Sequence, residues 1–164
     1  MDTITNNPTI KEDKIDLARG CIEHRGTWMA LTFDEMEKCG CDAERITRAA
    51  VKKCGNIHGL ALKAKCENPK SAEDFATIFL PEDGKKNFEI DIVDVNVDNL
   101  KLEFHYCALV NAWKKLGLDE KKIALLCDIA MDGDRGIAES MGMTLELSDT
   151  IAKGCKTCKL HFHK

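Results

Sequence analysis

Phe104 to Glu139, FHYCALVNAWKKLGLDEKKIALLCDIAMDGDRGIAE, is the stretch whose reading decides the fold. It carries a strand end, a short helix, a turn and a long helix in one run. Read at about 100° per residue, its second half places Ile123, Leu126, Cys127, Ala130, Ile137 and Met141 on one apolar side. Asp134 falls inside that stripe, whereas Asp128, Asp132 and Arg135 gather on the opposite side. A carboxylate aimed at a core is costly unless it is paired, hydrogen-bonded or metal-bound. Asp134 is therefore the first candidate functional residue, provided Gly133 and Gly136 do not unwind the helix and return it to solvent.

Upstream of this stretch the period is two. Phe88, Ile90 and Ile92 alternate, and after Asp98-Asn99 so do Leu100, Leu102, Phe104 and Tyr106, which reads as a β-hairpin. Extended to its end, the second strand puts His105 and Cys107 on the face opposite Phe104 and Tyr106. Downstream, Gly142 closes the long helix, and Leu145, Leu147, Cys158, Leu160 and Phe162 give a second strand pair around Asp149–Lys156. Towards the N-terminus the spacing is helical from Asp13 to about Met36, with a break at Gly26 or Thr32 left open. Asp42 caps a second helix running towards Gly55, and Ser71 with Asp74 opens a short one that Pro81 to Gly84 ends. The expectation is an α+β fold with N-terminal helices, two β-hairpins forming an antiparallel sheet, and two central helices between the hairpins. Residues 1–12 are expected to be a flexible N-terminus, and 13–164 a single domain.

A chain of 164 residues, 44% apolar and 32% charged, is long enough to bury one sizeable core. The net charge of −4 and the scattered positive residues give no nucleic-acid surface. No apolar run reaches membrane-spanning length, and the start MDTITNNPTIKED has no hydrophobic leader, so a cytoplasmic protein is expected. Nine cysteines, an odd number, then read as reduced thiols rather than a disulfide scaffold.

Cys54 and His58 lie four apart, on one face if the second helix continues through Gly55. With His105 and Cys107 they offer ligands for a divalent metal, or a thiol–imidazole pair for nucleophilic catalysis. Cys127 points inward with Asp134 and could complete either arrangement. Arg135 is a candidate anchor for a substrate carboxylate through its bidentate fork, and Arg25 is its rival. The tail offers Cys155-x-x-Cys158 followed by His161 and His163, but on a strand both histidines face away from Cys158. Asp132-Gly133-Asp134 lacks the spacing of an EF-hand, and no glycine-rich phosphate loop is present.

At FHYC-LV-AWKKLG, at IALLCDIAMDGDRGIAE and at the tail TIAKG--C-L-F, the chain resembles the bacterial L-2-amino-thiazoline-4-carboxylic acid hydrolase family. The run Arg25–Trp28 and KKCGNIHG around Cys54 and His58 resemble it too. One departure is Asn56, where the family pattern C-G-C-I-H-G has a second cysteine, which weakens any role needing two thiols beside His58. A more distant resemblance is to small ligand-binding domains of the 4-vinyl-reductase type. The family resemblance implies hydrolysis of a small cyclic amidine. Water adds at the carbon between ring sulfur and nitrogen, the ring C–N bond breaks, and N-carbamoyl-L-cysteine results. That chemistry needs a nucleophile or water-activating group, an acid for the departing nitrogen and a cation or amides for the carboxylate. Cys107 or Cys127 as nucleophile or metal ligand, His105 with His58 as base or ligand, Asp134 as acid or orienter, and Arg135 or Arg25 as anchor are the residues expected to supply it. No cofactor is implied with certainty, a divalent metal stays open, the partner is a small molecule, and homo-oligomerisation stays open. The other class of function is a ligand- or metal-binding sensor of the same fold that turns nothing over.

Overall fold

The computed structural model describes residues 3–164. In chain order it contains α1 (Asp13–Lys38), α2 (Ala43–Lys63), α3 (Ala72–Phe79), α4 (Glu82–Phe88), β1 (Ile90–Val95) and β2 (Asn99–Phe104). Then follow α5 (Ala108–Lys115), α6 (Glu120–Ser140), β3 (Thr144–Leu147), a single 3-10 turn (Ile151–Lys153) and β4 (Cys158–His163). The strands form one antiparallel sheet in the order β1-β2-β4-β3, so the fold is α+β, as the two hairpin patterns require. The hairpins join through β2 and β4, where Leu100 faces Phe162 and Leu102 faces Leu160 across the ladder. These four side chains are buried and turn the inner face of the sheet towards the helices.

Several elements run longer or shorter than their sequence signals. α1 passes unbroken through Gly26 and Thr32, and α2 continues past Gly55 to Lys63. α6 likewise continues through Gly133 and Gly136, so Asp134 keeps its helical phase. Glycine costs about 1 kcal/mol in a helix interior relative to alanine, and the α2–α6 crossing explains why it is tolerated here. A Cβ on Gly55 would lie 2.0 Å from the Gly133 carbonyl oxygen, and one on Gly136 would lie 2.5 Å from that of Lys52. The two helices meet backbone against backbone, which only glycine permits.

Two further differences concern the edges of the first hairpin. Pro81 does not end the helical region but caps α4, its extended ψ of 155° placing the next residues in a new helix. Phe88 is therefore helical, and Glu89 reverses the chain into β1 with a left-handed φ of 52°. β2 stops at Phe104, because the amides of His105 and Tyr106 bond to the carbonyls of Glu89 and Phe88 rather than to a ladder.

Residues 3–12 have no regular secondary structure yet do not stand free, contrary to the flexible extension their composition suggests. Ile4 is buried, and the Glu89 carboxylate accepts hydrogen bonds from the Thr9 and Ile10 amides at 2.6 and 2.8 Å. Arg19, itself buried, holds the same junction by donating to the carbonyls of Ile10, Lys86 and Asn87 and to Glu89 at 3.0 Å. The guanidinium also lies 4.5 Å above the Tyr106 ring. Burial works against the Glu89 charge, but these donors outweigh it and hold the carboxyl below its ordinary pKa.

Candidate functional site

Between the inner face of the sheet and the helices lies a cavity of about 430 Å³. Most of its wall is apolar, from Met29, Val51, Phe79, Phe104, Met131 and Leu160 among others. Arg25, Cys54, His58, Cys107, Cys127, Asp134 and Cys158 supply the chemistry in that wall. Arg25, Cys54 and His58 are exposed and mark the mouth, while Cys127 and Cys158 are buried at the bottom.

The glycine crossing sets this arrangement. α2 carries Cys54 and His58 beside Gly55 and Gly59, and α6 carries Asp134 beside Gly133, so close approach of the backbones brings the three side chains to one wall. Arg25 is placed from the opposite side. Gly26, next to it, lies close enough to α5 that a Cβ would sit 3.0 Å from Leu109 Cδ2, and Trp113 Nε1 donates to the Gly26 carbonyl at 2.9 Å. Among the described residues Arg25 forms no ion pair.

Asp134 is half-buried, and what surface it has faces the cavity. Burial raises its pKa from 3.8 to about 6, with Arg25 and, more weakly, Arg135 pulling the other way. It is thus a carboxylate at neutral pH that takes up a proton just below it.

Cys107 is the N-cap of α5. Asn6 clamps its backbone from both sides, with Oδ1 accepting from the Cys107 amide and Nδ2 donating to its carbonyl, each at 2.8 Å. The thiol makes no capping hydrogen bond, yet the first-turn amides of Leu109 and Val110 favour its thiolate at longer range. Burial is the larger influence and pushes the thiol pKa up, while Arg25 lowers it and Asp134 raises it. Burial also drives the Cys127 thiol far above its ordinary range and that of Cys158 up to about 12. Those two are packed thiols, and the Ile151 amide donates to Cys158 Sγ at 3.3 Å.

The structure therefore brings together Arg25, Cys54, His58, Cys107, Cys127 and Asp134, but not His105 or Arg135. With β2 ended at Phe104, His105 turns outward and its Nε2 lies 2.9 Å from Asp91 Oδ2, in a shallow polar cleft with Glu89 and Lys86. The four-residue set Cys54, His58, Cys107 and His105 consequently does not converge. Arg135 is committed to Asp128 and Asp132, at 2.7 and 2.6 Å. Arg48, which carried no signal of its own, bridges the same two carboxylates at 2.7 and 3.0 Å. Burial opposes the Asp128 charge, but Arg135 and Arg48 outweigh it and hold that carboxyl below the ordinary range. This cluster ties α2 to α6 outside the cavity. Asn6 was also missed, since it lies in a segment without periodicity and its partner is backbone.

The profile of the L-2-amino-thiazoline-4-carboxylic acid hydrolases matches residues 21–162. No curated protein matches the chain. Among solved structures, it is similar to a trafficking protein particle complex subunit 3 from Naegleria fowleri covalently bound to palmitic acid. The two chains are 14% identical, with a TM-score of 0.50 over 85% of this chain and 94% of the other, a likeness of fold. No helix among the described residues is long and apolar enough to cross a membrane. With the profile spanning residues 21–162, most of the chain, the protein belongs to the L-2-amino-thiazoline-4-carboxylic acid hydrolase family.

Proposed function

We propose that the protein is a hydrolase that opens the ring of a small cyclic amidine carrying a carboxylate, of the 2-aminothiazoline-4-carboxylate type. The observation that carries the reading is Asp134, a carboxyl with a pKa of about 6 inside an apolar cavity whose mouth holds the unpaired Arg25. An amidinium with a carboxylate is a zwitterion, and these two side chains are its complement: Arg25 for the carboxylate, Asp134 for the amidinium. Family membership supports the reaction class.

Cys107 acts as nucleophile on the carbon between ring sulfur and nitrogen, and Asp134 takes the thiol proton. The bound amidinium favours thiolate formation, offsetting the burial that keeps the free thiol protonated. Atom balance corrects the expected bond cleavage. N-carbamoyl-L-cysteine keeps the ring nitrogen on its α-carbon, so the carbon–sulfur bond breaks and the ring sulfur leaves, taking the proton from Asp134. Water then adds to the enzyme-bound carbon, gives one proton to Asp134, and expels Cys107, which recovers it. The sum is amidinium plus water to product plus one proton, which the new urea oxygen loses to solvent. His58, at the mouth, remains available to relay protons to solvent.

The test is product formation from 2-aminothiazoline-4-carboxylate by reduced protein, with and without a chelator. Turnover that survives chelation and is abolished in both D134N and C107S is the expected result. Full activity in either variant overturns its assigned role.

One observation favours a second reading. The cavity is far more apolar than a small zwitterion needs, and the structurally similar subunit holds palmitic acid covalently. A binding protein for a carboxylate-headed apolar ligand, with Arg25 at the head and no turnover, follows from that wall. Absence of turnover together with stoichiometric fatty-acid binding that weakens in R25M would establish it.

A further inference from the structure

The solvent face of the sheet carries a second cluster, remote from the cavity. In β4 the side chains of Leu160 and Phe162 point inward, so His161 and His163 share the outer face. Across the ladder Glu146 of β3 pairs with His161, and Thr144 pairs with His163. One ligand atom from each of Glu146, His161 and His163 lies within 4.8 Å of the others. We propose that these three residues bind one borderline divalent cation of the zinc(II) class on the outer face of the sheet, through His161 Nδ1, His163 Nε2 and the Glu146 carboxylate.

The hydrogen bonds around the rings select those nitrogens. In the β1–β2 turn Asn96 Oδ1 accepts from the backbone amides of Asp98 and Asn99, which fixes it as the oxygen. Asn99 Nδ2 donates to it at 2.7 Å, so Asn99 Oδ1 must face His161. His161 Nε2 lies 2.9 Å from that oxygen and is therefore the protonated nitrogen, leaving Nδ1 with its lone pair. His163 Nδ1 lies 3.1 Å from the main-chain oxygen of Lys164, which leaves Nε2 with its lone pair. Both lone pairs face Glu146: His163 Nε2 is 3.3 Å from Oε1, and His161 Nδ1 is 3.9 Å from Oε2.

Two lone pairs and a carboxylate turned on one another repel unless a proton or a metal cation sits among them. His163 Nε2 is moreover shielded from solvent and, although 3.3 Å from Glu146 Oε1, makes no well-aligned hydrogen bond among the described residues, which suits an atom that ligates a cation. Two imidazoles and a carboxylate, each ring held by an oxygen on its far nitrogen, are the donor set and outer support of a zinc site with open positions. Lys101, the cation opposite His161 on β2, lies 4.0 Å from Asp94. The set does not include Cys158, which faces the cavity. Filled, the site pins β3 to β4 from outside while Leu160 lines the cavity from inside.

The test is titration of the metal-free, reduced full chain with cobalt(II) and zinc(II), followed by calorimetry, optical absorption and imidazole NMR. The expected result is one high-affinity ion without a thiolate charge-transfer band, with the His161 and His163 ring signals moved by zinc. Affinity should fall by at least about 100-fold in H163A and E146Q, and by about 10–100-fold in N99A, which removes no ligand. E146Q alters a surface position and keeps the test decisive if H163A does not fold. Unchanged affinity in both H163A and E146Q, a band from thiolate ligation, or ring signals that respond to protons but not to zinc would each overturn the site.

Discussion

Replacing Asp134 by Asn keeps the size of the side chain and removes its charge, and the structure dictates how stability should respond. Burial raises the carboxyl pKa from 3.8 to about 6, so between those values the folded protein binds more protons than the unfolded chain. Stability must fall as pH rises through that window and then stay level, because the ionised form is the one the cavity disfavours. At 1.36 kcal/mol per pKa step the interval is worth about 3 kcal/mol, and access of the cavity to solvent reduces this to about 2 kcal/mol. D134N should therefore be more stable than the parent above about pH 6, by about 2 kcal/mol or about 4–8 °C in Tm for a chain of this size. The advantage should vanish near pH 4. Urea denaturation of both proteins across this range gives the difference directly. A difference that does not change with pH, or a D134N protein less stable than the parent at high pH, would refute the placement of the charge in a desolvating cavity. The same substitution should abolish turnover, so stability and activity move in opposite directions.

The other predictions concern different parts of the molecule. R25M should raise the KM for a carboxylate-bearing substrate by about 10–100-fold, the loss of one charged hydrogen-bonding partner, whereas R135M should leave KM within about twofold. H105A should leave kcat and KM unchanged, since its ring faces Asp91 outside the cavity. G55A should cost about 3 kcal/mol or more by chemical denaturation, because its Cβ meets the Gly133 carbonyl at 2.0 Å. R19M should cost about 3–5 kcal/mol by stranding the buried Glu89 carboxylate. Because the Glu89 pKa is depressed, the parent should lose that stabilisation as pH falls below the ordinary 4.5, and R19M should show a shallower acid limb.

Much of the fold could be read from side-chain periodicity alone. The alternation Leu100-Leu102 and Leu160-Phe162 marks the two strands that join the hairpins, and the stripe from Ile123 to Ile137 gives the burial of α6 and the inward phase of Asp134. The misses have a common origin in contacts that periodicity does not encode. Gly133 and Gly136 left a break in the long helix open, because their role depends on α2 lying against them. His105 was given a strand phase because nothing in FHYC announces that Glu89 and Phe88 will capture its backbone and that of Tyr106. Arg135 was a candidate anchor for its bidentate fork although Asp128 and Asp132 are close in sequence, and the fork is taken up by those two carboxylates, which Arg48 from another helix also bridges. Asn6 acts through main-chain atoms of Cys107, a partnership no side-chain pattern reports.

The backbone contact between α2 and α6 also divides the cavity wall by compliance. Where two helices touch through glycines, no side chain can rotate to make room, so the wall holding Cys54, His58 and Asp134 is stiff. The facing wall includes α4, a helix with no buried residue, which contributes Gly84, Asn87 and Phe88 to the lining. Ligands of different bulk would thus be accommodated on the α4 side, while Cys54, His58 and Asp134 keep their spacing. The bulk of ligand the cavity admits would then be set by α4, and the spacing of Cys54, His58 and Asp134 by the glycine-locked pair.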